Sequence, residues 1–485
     1  MTDKRTIKAD ICIIGAGSAG LSTAYAGANL GLKTVLFEGA AMGGDCLNHG
    51  CVPSKALLAA AKAANDMRNT EKFGVTIDAE PKVDWQKVRD HVQGVIDHIA
   101  PVDSVERFES FGTIVISEFA KFEDEKTIVS ETTRVKAKRI VIATGSTAFI
   151  PPIPGLAETP YLTNHSIFTT PDFPEKLIVL GGGPIGIEMA QAFQRLGSQV
   201  TVVEMGRALA RADEGHAAIA LEALRKEGLT ILEGHKAVEV SGTAGNITVR
   251  TETQDGSGEQ VSGTHVLVAV GRRTYLDGLD VEKANVKTER GNVVVKKTLQ
   301  SVSNKRVWAL GDANGKAQFT HVAGNHASIF TRAAIMGLPN VDADAAALPA
   351  VTYMQPEIAQ LGMTEAEARA EFGDKVKTGS FPFHENDRAI AEHKTDGEVK
   401  IIWMDKKWMG KKILGASILG ESAGDLLQIV SVAMANNLGP GGLINHMSPY
   451  PTRAEAVKRA VSGSEHFGGR FFSSKAIRTW VGLRH

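Results

Sequence analysis

The chain has almost no cysteine: Cys12, Cys46 and Cys51 are the only thiols in 485 residues. Such scarcity argues against a disulfide-stapled secreted scaffold. Net charge is nearly absent too, at −1, so no global field recruits nucleic acid or an anionic membrane. No apolar run approaches the roughly 18 residues of a membrane span. The polar opening MTDKRTIKAD lacks the apolar stretch of a signal peptide. The cytoplasm is the expected compartment, and a disulfide there is catalytic or regulatory rather than structural.

What is present is an ordinary globular composition, 43% hydrophobic and 22% charged. The length suggests about three domains of roughly 150 residues each. Glycine is plentiful, at 50 residues, and much of it falls in recognisable loops.

One glycine-rich unit occurs twice. DICIIGAGSAG reads as a buried strand running into Gly15, Gly17 and Gly20, then a helix, Gly31, and the strand KTVLFE ending in Glu38. KLIVLGGGPIG repeats the plan with Gly181, Gly183 and Gly186, then Gly197 and the strand QVTVVE ending in Glu204. In both copies the acid lies 18 positions after the third glycine and 7 after the later one. A lone GxGxxG is weak, but two in register are a strong signal for two dinucleotide sites. The first glycine permits the strand-to-helix turn, the second lets backbone approach a pyrophosphate, and the third packs helix on strand. The helix N-terminus offers unpaired N–H groups and a positive dipole end to the phosphates. Glu38 and Glu204 are expected to accept hydrogen bonds from a ribose. A carboxylate at Glu204 repels a 2′-phosphate, so NADH is expected over NADPH, although Arg207 and Arg211 lie just beyond. Three further strand ends carry candidate cofactor contacts: Thr144 and Gly145 in KRIVIATGS, Gly271 in THVLVAVGRR, and Gly311 and Asp312 in VWALGDANG. Arg272 and Arg273 read as residues that cap their strand.

Two of the three thiols share the run GGDCLNHGCVPSK. Cys51 opens a predicted helix, VPSKALLAAAKAANDM, with Pro53 in the first turn. Lys55 lies on the same helix face four residues on. A thiol at a helix start beside an ammonium is expected to have a depressed pKa. Asp45 acts the opposite way on Cys46. One thiol is thus poised toward a cofactor and the other toward an outside partner. His49, between them, is a candidate for tuning exchange, against the simpler reading of a solvent-facing loop histidine. Zinc needs further Cys or His at ligand spacing, and no second cluster occurs, so no metal is expected. Cys12, inside the first strand, reads as a core thiol.

These motifs together resemble the class I pyridine nucleotide–disulfide oxidoreductases, over nearly the whole chain. The resemblance implies an α/β fold with two Rossmann-like domains and a C-terminal α+β interface domain. It implies FAD on the first nucleotide fold (1–155, with a return part at 276–345), NAD(P)H on the second (156–275), and dimerisation through 346–485. Cys51 would be the flavin-side thiol and Cys46 the interchange thiol. Lys55 would lie near the flavin and pair with Glu188, and Asp312 would contact FAD. A homodimer is implied, with a small disulfide, dithiol or metal ion as substrate.

The C-terminal part departs from that pattern. FHENDRAIAE and KIIWMDKKWMGKKILGASILG read as strands of the interface sheet. The family's motif there is His-Pro-Thr-x-x-Glu, whose His is the general base of exchange on the partner's disulfide. Here the string is YPTRAE, with Tyr450 at the base position and Glu455 following. Tyrosine is a poor base at neutral pH and a better donor. His446 is a weaker candidate for a displaced base. The leading expectation is a dihydrolipoyl dehydrogenase-like enzyme. The alternatives are a mercuric reductase-like metal-ion reductase, for which no cysteine follows Cys51, and an FAD-binding structural subunit. The intact cysteine pair argues against the last and against a transhydrogenase without a disulfide. The basic, aromatic tail FGGRFFSSKAIRTWVGLRH reads as a docking helix or interface extension.

Overall fold

The computed structural model describes residues 4–406, 410–464, 479 and 482. The basic tail lies outside the described residues apart from two isolated positions.

The N-terminal sheet is built on strand β1 (Arg5–Ile14), whose final residues Ile11–Ile14 are buried on both faces. A strand covered on both sides reads as a continuous apolar run, and this one sits in the middle of a largely parallel sheet. Its strand order is Ile114–Ile116, β2 (Thr34–Phe37), β1, Thr133–Ile142, Thr127–Val129, Lys121–Asp124. Helix α1 (Ser18–Asn29) follows β1 directly. After a long excursion the chain returns to this sheet, where Val307–Ala309 pairs in parallel with Ile140–Ile142. Cys12 is fully buried there, and burial pushes its thiol pKa up.

The excursion contains the second glycine unit. Strand Lys176–Leu180 runs into helix Pro184–Leu196 and then strand Gln199–Glu204, in a four-stranded parallel sheet. Strand His265–Val268 closes that sheet beside Lys176–Leu180. THVLVAVGRR is two strands rather than one. The first ends at Val268, and Arg272–Thr274 pairs instead with Ser146–Ala148. Gly271 lies between them at φ 143°, a value that turns the chain from one sheet to the other.

The C-terminal part is a five-stranded antiparallel sheet, ordered Pro349–Thr352, Glu357–Gly362, Gly410–Gly420, Glu398–Lys406, Val376–Pro382. Helices Ala423–Ala435 and Glu455–Ser462 contribute to its core, which contains Trp403, Ile418, Leu427 and Val457. FHENDRAIAE is not a strand. The strand ends at Pro382, and Asp387–Ala391 is a short helix whose start is capped by Asn386 Oδ1 accepting from Ala389 N at 3.1 Å. The local Asn cap and the helix-forming Arg-Ala-Ile-Ala run override the sheet expectation there. Among the described residues no helix is long and apolar enough to cross a membrane.

Candidate active site

Both glycine units show the same division of labour. A Cβ on Gly20 would lie 1.8 Å from Gly15 O, and one on Gly186 would lie 2.0 Å from Gly181 O. The third glycine of each unit is therefore demanded by the protein's own packing. The second is not: a Cβ on Gly17 meets only Gly44 Cα at 4.0 Å, and one on Gly183 meets nothing within 4 Å. Open space at that glycine, at the N-cap of a helix, is a cradle of the kind a pyrophosphate needs.

The two acids are also held alike. Glu38 accepts from Ala16 N at 2.6 Å and from Ala40 N at 2.8 Å. Glu204 accepts from Gly182 N at 2.7 Å and Gly206 N at 2.7 Å. Two accepted bonds leave each carboxylate further lone pairs, free to accept from a ligand hydroxyl. Thr144 Oγ1 is buried with no partner, and Gly145, at φ 71°, has open space beside it. A buried hydroxyl without a partner is costly unless a ligand satisfies it. These features fit a dinucleotide on the first unit and a second one on the other.

Gly311 opens a short turn at φ 58° that presents Asp312. The buried imidazole of His326 holds that turn, its Nδ1 accepting from Gly311 N at 3.0 Å. Ser146 donates to Asp312 Oδ2 at 2.5 Å, and burial pushes this carboxyl above its ordinary range. Arg272 is more than a strand cap. Its guanidinium donates to Ser146 Oγ at 2.7 Å and Ser146 O at 2.8 Å, and it pairs with Asp45 at 3.0 Å. Arg273 pairs with Asp277 on the surface.

The redox loop is stitched to the first glycine unit. Gly43 N donates to Ala16 O at 3.0 Å, and Gly43 and Gly44 adopt φ 86° and 61°. A Cβ on Gly44 would lie 2.7 Å from Gly17 Cα. The double glycine thus lets helix α2 (Gly44–Asn48), which carries Cys46, start against the cradle. Helix α3 (Cys51–Arg68) begins at the second thiol. Its apolar face shares a core with helix Pro184–Leu196 through Leu57, Ala61, Ala190 and Phe193. That packing brings Lys55 Nζ to 3.0 Å from Glu188 Oε2, with Glu188 only 6% exposed. Tyr353 completes the surround: its N donates to Glu188 Oε1 at 2.9 Å, and its ring lies 4.3 Å beneath the ammonium.

The structure holds Cys46 and Cys51 as free thiols, Cys51 the more exposed. The Cys51 pKa is lowered to about 6. The leading cause is a hydrogen bond from the Cys46 thiol, opposed by burial, then one from Thr320 at 3.3 Å, with Lys55 third among the stabilising groups. The expected direction is present, but the ammonium is not its main cause. Cys46 is pushed upward, by Cys51 and by burial. Asp45 does not figure among its main causes, because its carboxylate is taken up by Arg272, His165 and Asn164. His49 is not a free loop histidine. Its ring stacks on His165 with centroids 4.4 Å apart.

Tyr450 is 70% exposed, and its hydroxyl donates to Asp387 Oδ2 at 2.8 Å rather than to Glu455. Asp387 raises its pKa, with a smaller push from Glu455. Glu455 instead lines a surface pocket with Met447, Ser448, Lys458 and Arg459. His446 Nε2 is bonded to Ser448 Oγ at 2.8 Å. Among the described residues no group of three or more His, Cys, Asp or Glu is arranged to hold a metal ion.

Residues 9–327 match the family model of the pyridine nucleotide-disulphide oxidoreductases, and residues 348–461 match the dimerisation domain of the same family. The chain belongs to this family. Its members bind FAD and a pyridine nucleotide, and the dimerisation domain supports a homodimer. The chain is 34% identical over 457 residues to a mercuric reductase from Streptomyces lividans, covering 93% of this chain and 95% of that one. It is 33% identical over 475 residues to a dihydrolipoyl dehydrogenase from Rhizobium etli, covering 93% and 97%. Among solved structures it is similar to the Cu(II) complex of the HOCl-induced flavoprotein disulfide reductase RclA from Escherichia coli. The TM-score is 0.82 at 27% identity, covering 93% of this chain and 99% of that one. For this oxidoreductase the mixed α/β fold and the class of chemistry follow. Single-sequence reasoning missed Arg272's engagement, Thr320, Tyr353, His165, His326 and Asp387. Arg272 and Asp387 lie in runs the sequence reading quoted, but their partners are distant in the chain, and the others stand in no local motif that marks them.

Proposed function

We propose that the chain relays electrons between NADH, FAD and the Cys46–Cys51 pair, with a small dithiol or disulfide as outer substrate, most like dihydrolipoyl dehydrogenase. The observation that carries this reading is the placement of a low-pKa thiol, Cys51, at the start of α3, on a redox loop that abuts the Gly15–Gly20 cradle. Bound FAD supplies the two-electron step that joins a nicotinamide to a disulfide. Gly17, Glu38, Thr144, Gly145, Gly311 and Asp312 would hold it, and Gly183, Glu204 and Gly271 would serve the nicotinamide dinucleotide. Lys55, fixed by Glu188, keeps positive charge beside Cys51 and so favours its thiolate. Cys46, held protonated, is the thiol that exchanges outward. NADH is favoured because Glu204 repels a 2′-phosphate and Arg207 is committed to Glu214.

A second reading, a metal-ion reductase, draws support from Tyr450 at the usual base position and from the mercuric reductase relatives. A panel of acceptors decides between them: NADH oxidation with lipoamide, glutathione disulfide, Hg(II), Cu(II) and quinone. Fastest turnover with lipoamide supports the dithiol reading, and turnover only with a metal ion overturns it.

A further inference from the structure

The Lys55–Glu188 pair is completed from the far end of the chain. Strand Pro349–Thr352 belongs to the C-terminal sheet, and the residues after it, Tyr353 to Gln355, lie along helix Pro184–Leu196. Three side chains of that helix grip the segment. Glu188 Oε1 accepts from Tyr353 N at 2.9 Å. Gln191 accepts from Gln355 N and donates to Gln355 O, both at 2.7 Å. Arg195 donates to the Gln355 side-chain oxygen. All three helix residues are buried, so the segment is fixed in register against the helix. That register decides where the Tyr353 ring falls. Its centroid lies 4.3 Å from Lys55 Nζ, well inside the range of a cation–π contact. The ammonium is thus held by the Glu188 carboxylate at 3.0 Å, the Ser54 hydroxyl at 3.4 Å and the ring. The Lys55 side chain is 38% exposed, so removing the ring widens its access to water.

We propose that Tyr353 is a positioning residue for Lys55: its ring holds the ammonium within electrostatic reach of Cys51, so that docking of the C-terminal domain sets the charge beside the reactive thiol. This rests on the relay reading above. Glu188 keeps its bond from Tyr353 N when only the side chain is changed, so a substitution at this position tests the ring alone.

The electrostatics agree. Lys55 is among the groups that stabilise the Cys51 thiolate, and Glu188 opposes it. The Tyr353 pKa is raised, by burial first, then by Glu357, Glu188, Cys51 and Asp425. The phenol therefore stays neutral at neutral pH and offers Lys55 an uncharged π face. The titratable groups that face Cys51 are Cys46 from α2, Lys55 from its own helix and Glu188 from helix Pro184–Leu196, with the Thr320 hydroxyl beside them. Those that face Tyr353 add Glu357 and Asp425 from the C-terminal domain.

The test follows the long-wavelength thiolate–flavin absorbance of FAD-loaded protein, reduced anaerobically with NADH and titrated over about pH 5 to 8.5. FAD content and thermal melts report folding. Tyr353→Leu and Tyr353→Met are each expected to raise the Cys51 titration by at least about half of the shift that Lys55→Met causes. Tyr353→Phe, which keeps the ring, is expected to stay within about 0.2 unit of the parent. In the Lys55→Met background, Tyr353→Leu is expected to add less than about 0.2 unit, since the group it positions is gone. Equal Tyr353→Leu shifts with and without Lys55 overturn the proposal while leaving the relay intact. So do a Tyr353→Leu value at or below the parent's, a Tyr353→Phe shift as large as that of Tyr353→Leu, or no shift in Lys55→Met. A parent protein that shows no such absorbance overturns the relay, and the proposal with it.

Discussion

Removing the Cys46 thiol should raise the Cys51 pKa more than removing the Lys55 charge does. In the structure the Cys46 hydrogen bond is the largest contributor to a Cys51 pKa of about 6. A hydrogen bond to a charged group contributes about 1.5–3 kcal/mol. At about 1.4 kcal/mol per pKa unit this is a rise of roughly one to two units, so Cys46→Ala should titrate near 7 to 8. The folded-state pKa is depressed, so the thiolate exists above it and is lost as pH falls through it. At about pH 6.5 the reduced parent should be mostly thiolate and Cys46→Ala mostly thiol. The assay is anaerobic titration of the long-wavelength absorbance in FAD-loaded protein, the parent after addition of NADH and the variant as prepared. Lys55→Met should shift the titration upward by less. A Cys46→Ala value at or below the parent's, or a larger shift in Lys55→Met, would refute the ranking of causes.

Other expectations follow from the same geometry. Gly186→Ala should lower stability by about 2 kcal/mol or more, since its Cβ meets Gly181 O at 2.0 Å. Gly183→Ala should cost under about 1 kcal/mol yet raise the NADH KM severalfold, as thermal melts and kinetics will show. Glu204→Gln should move the NADH/NADPH ratio of kcat/KM toward NADPH by about tenfold, and an unchanged ratio would contradict the role given to this carboxylate. Asp387→Asn should lower the Tyr450 pKa, read from tyrosinate absorbance against a Tyr450→Phe blank.

The sequence made the fold legible because its strongest signals are local. The two glycine units announce themselves by spacing, and the all-buried strands around Ile13 and Val179 read as apolar runs. The redox loop and the start of α3 were equally plain, since Gly-Gly, paired thiols and an early proline all sit within one turn or two. What stayed hidden was contributed from a distance. Arg272 reaches Asp45 across 227 positions of chain, and Thr320 reaches Cys51 across 269. His165 joins Asp45 only because segment 163–166 folds back onto α2. The FHENDRAIAE error has a different origin. A capped five-residue helix is set by one side-chain acceptor at Asn386, and apolar periodicity over so short a span cannot separate it from a strand.

The central claim is that electrons pass through the Cys46–Cys51 pair beside FAD. Anaerobic titration of the FAD-loaded protein with NADH, in parent and Cys51→Ser, tests it most directly. The account predicts that the parent develops long-wavelength absorbance while its flavin stays oxidised, and that Cys51→Ser bleaches its flavin directly with no such band. A band that persists in Cys51→Ser, or a parent that bleaches without one, would contradict it.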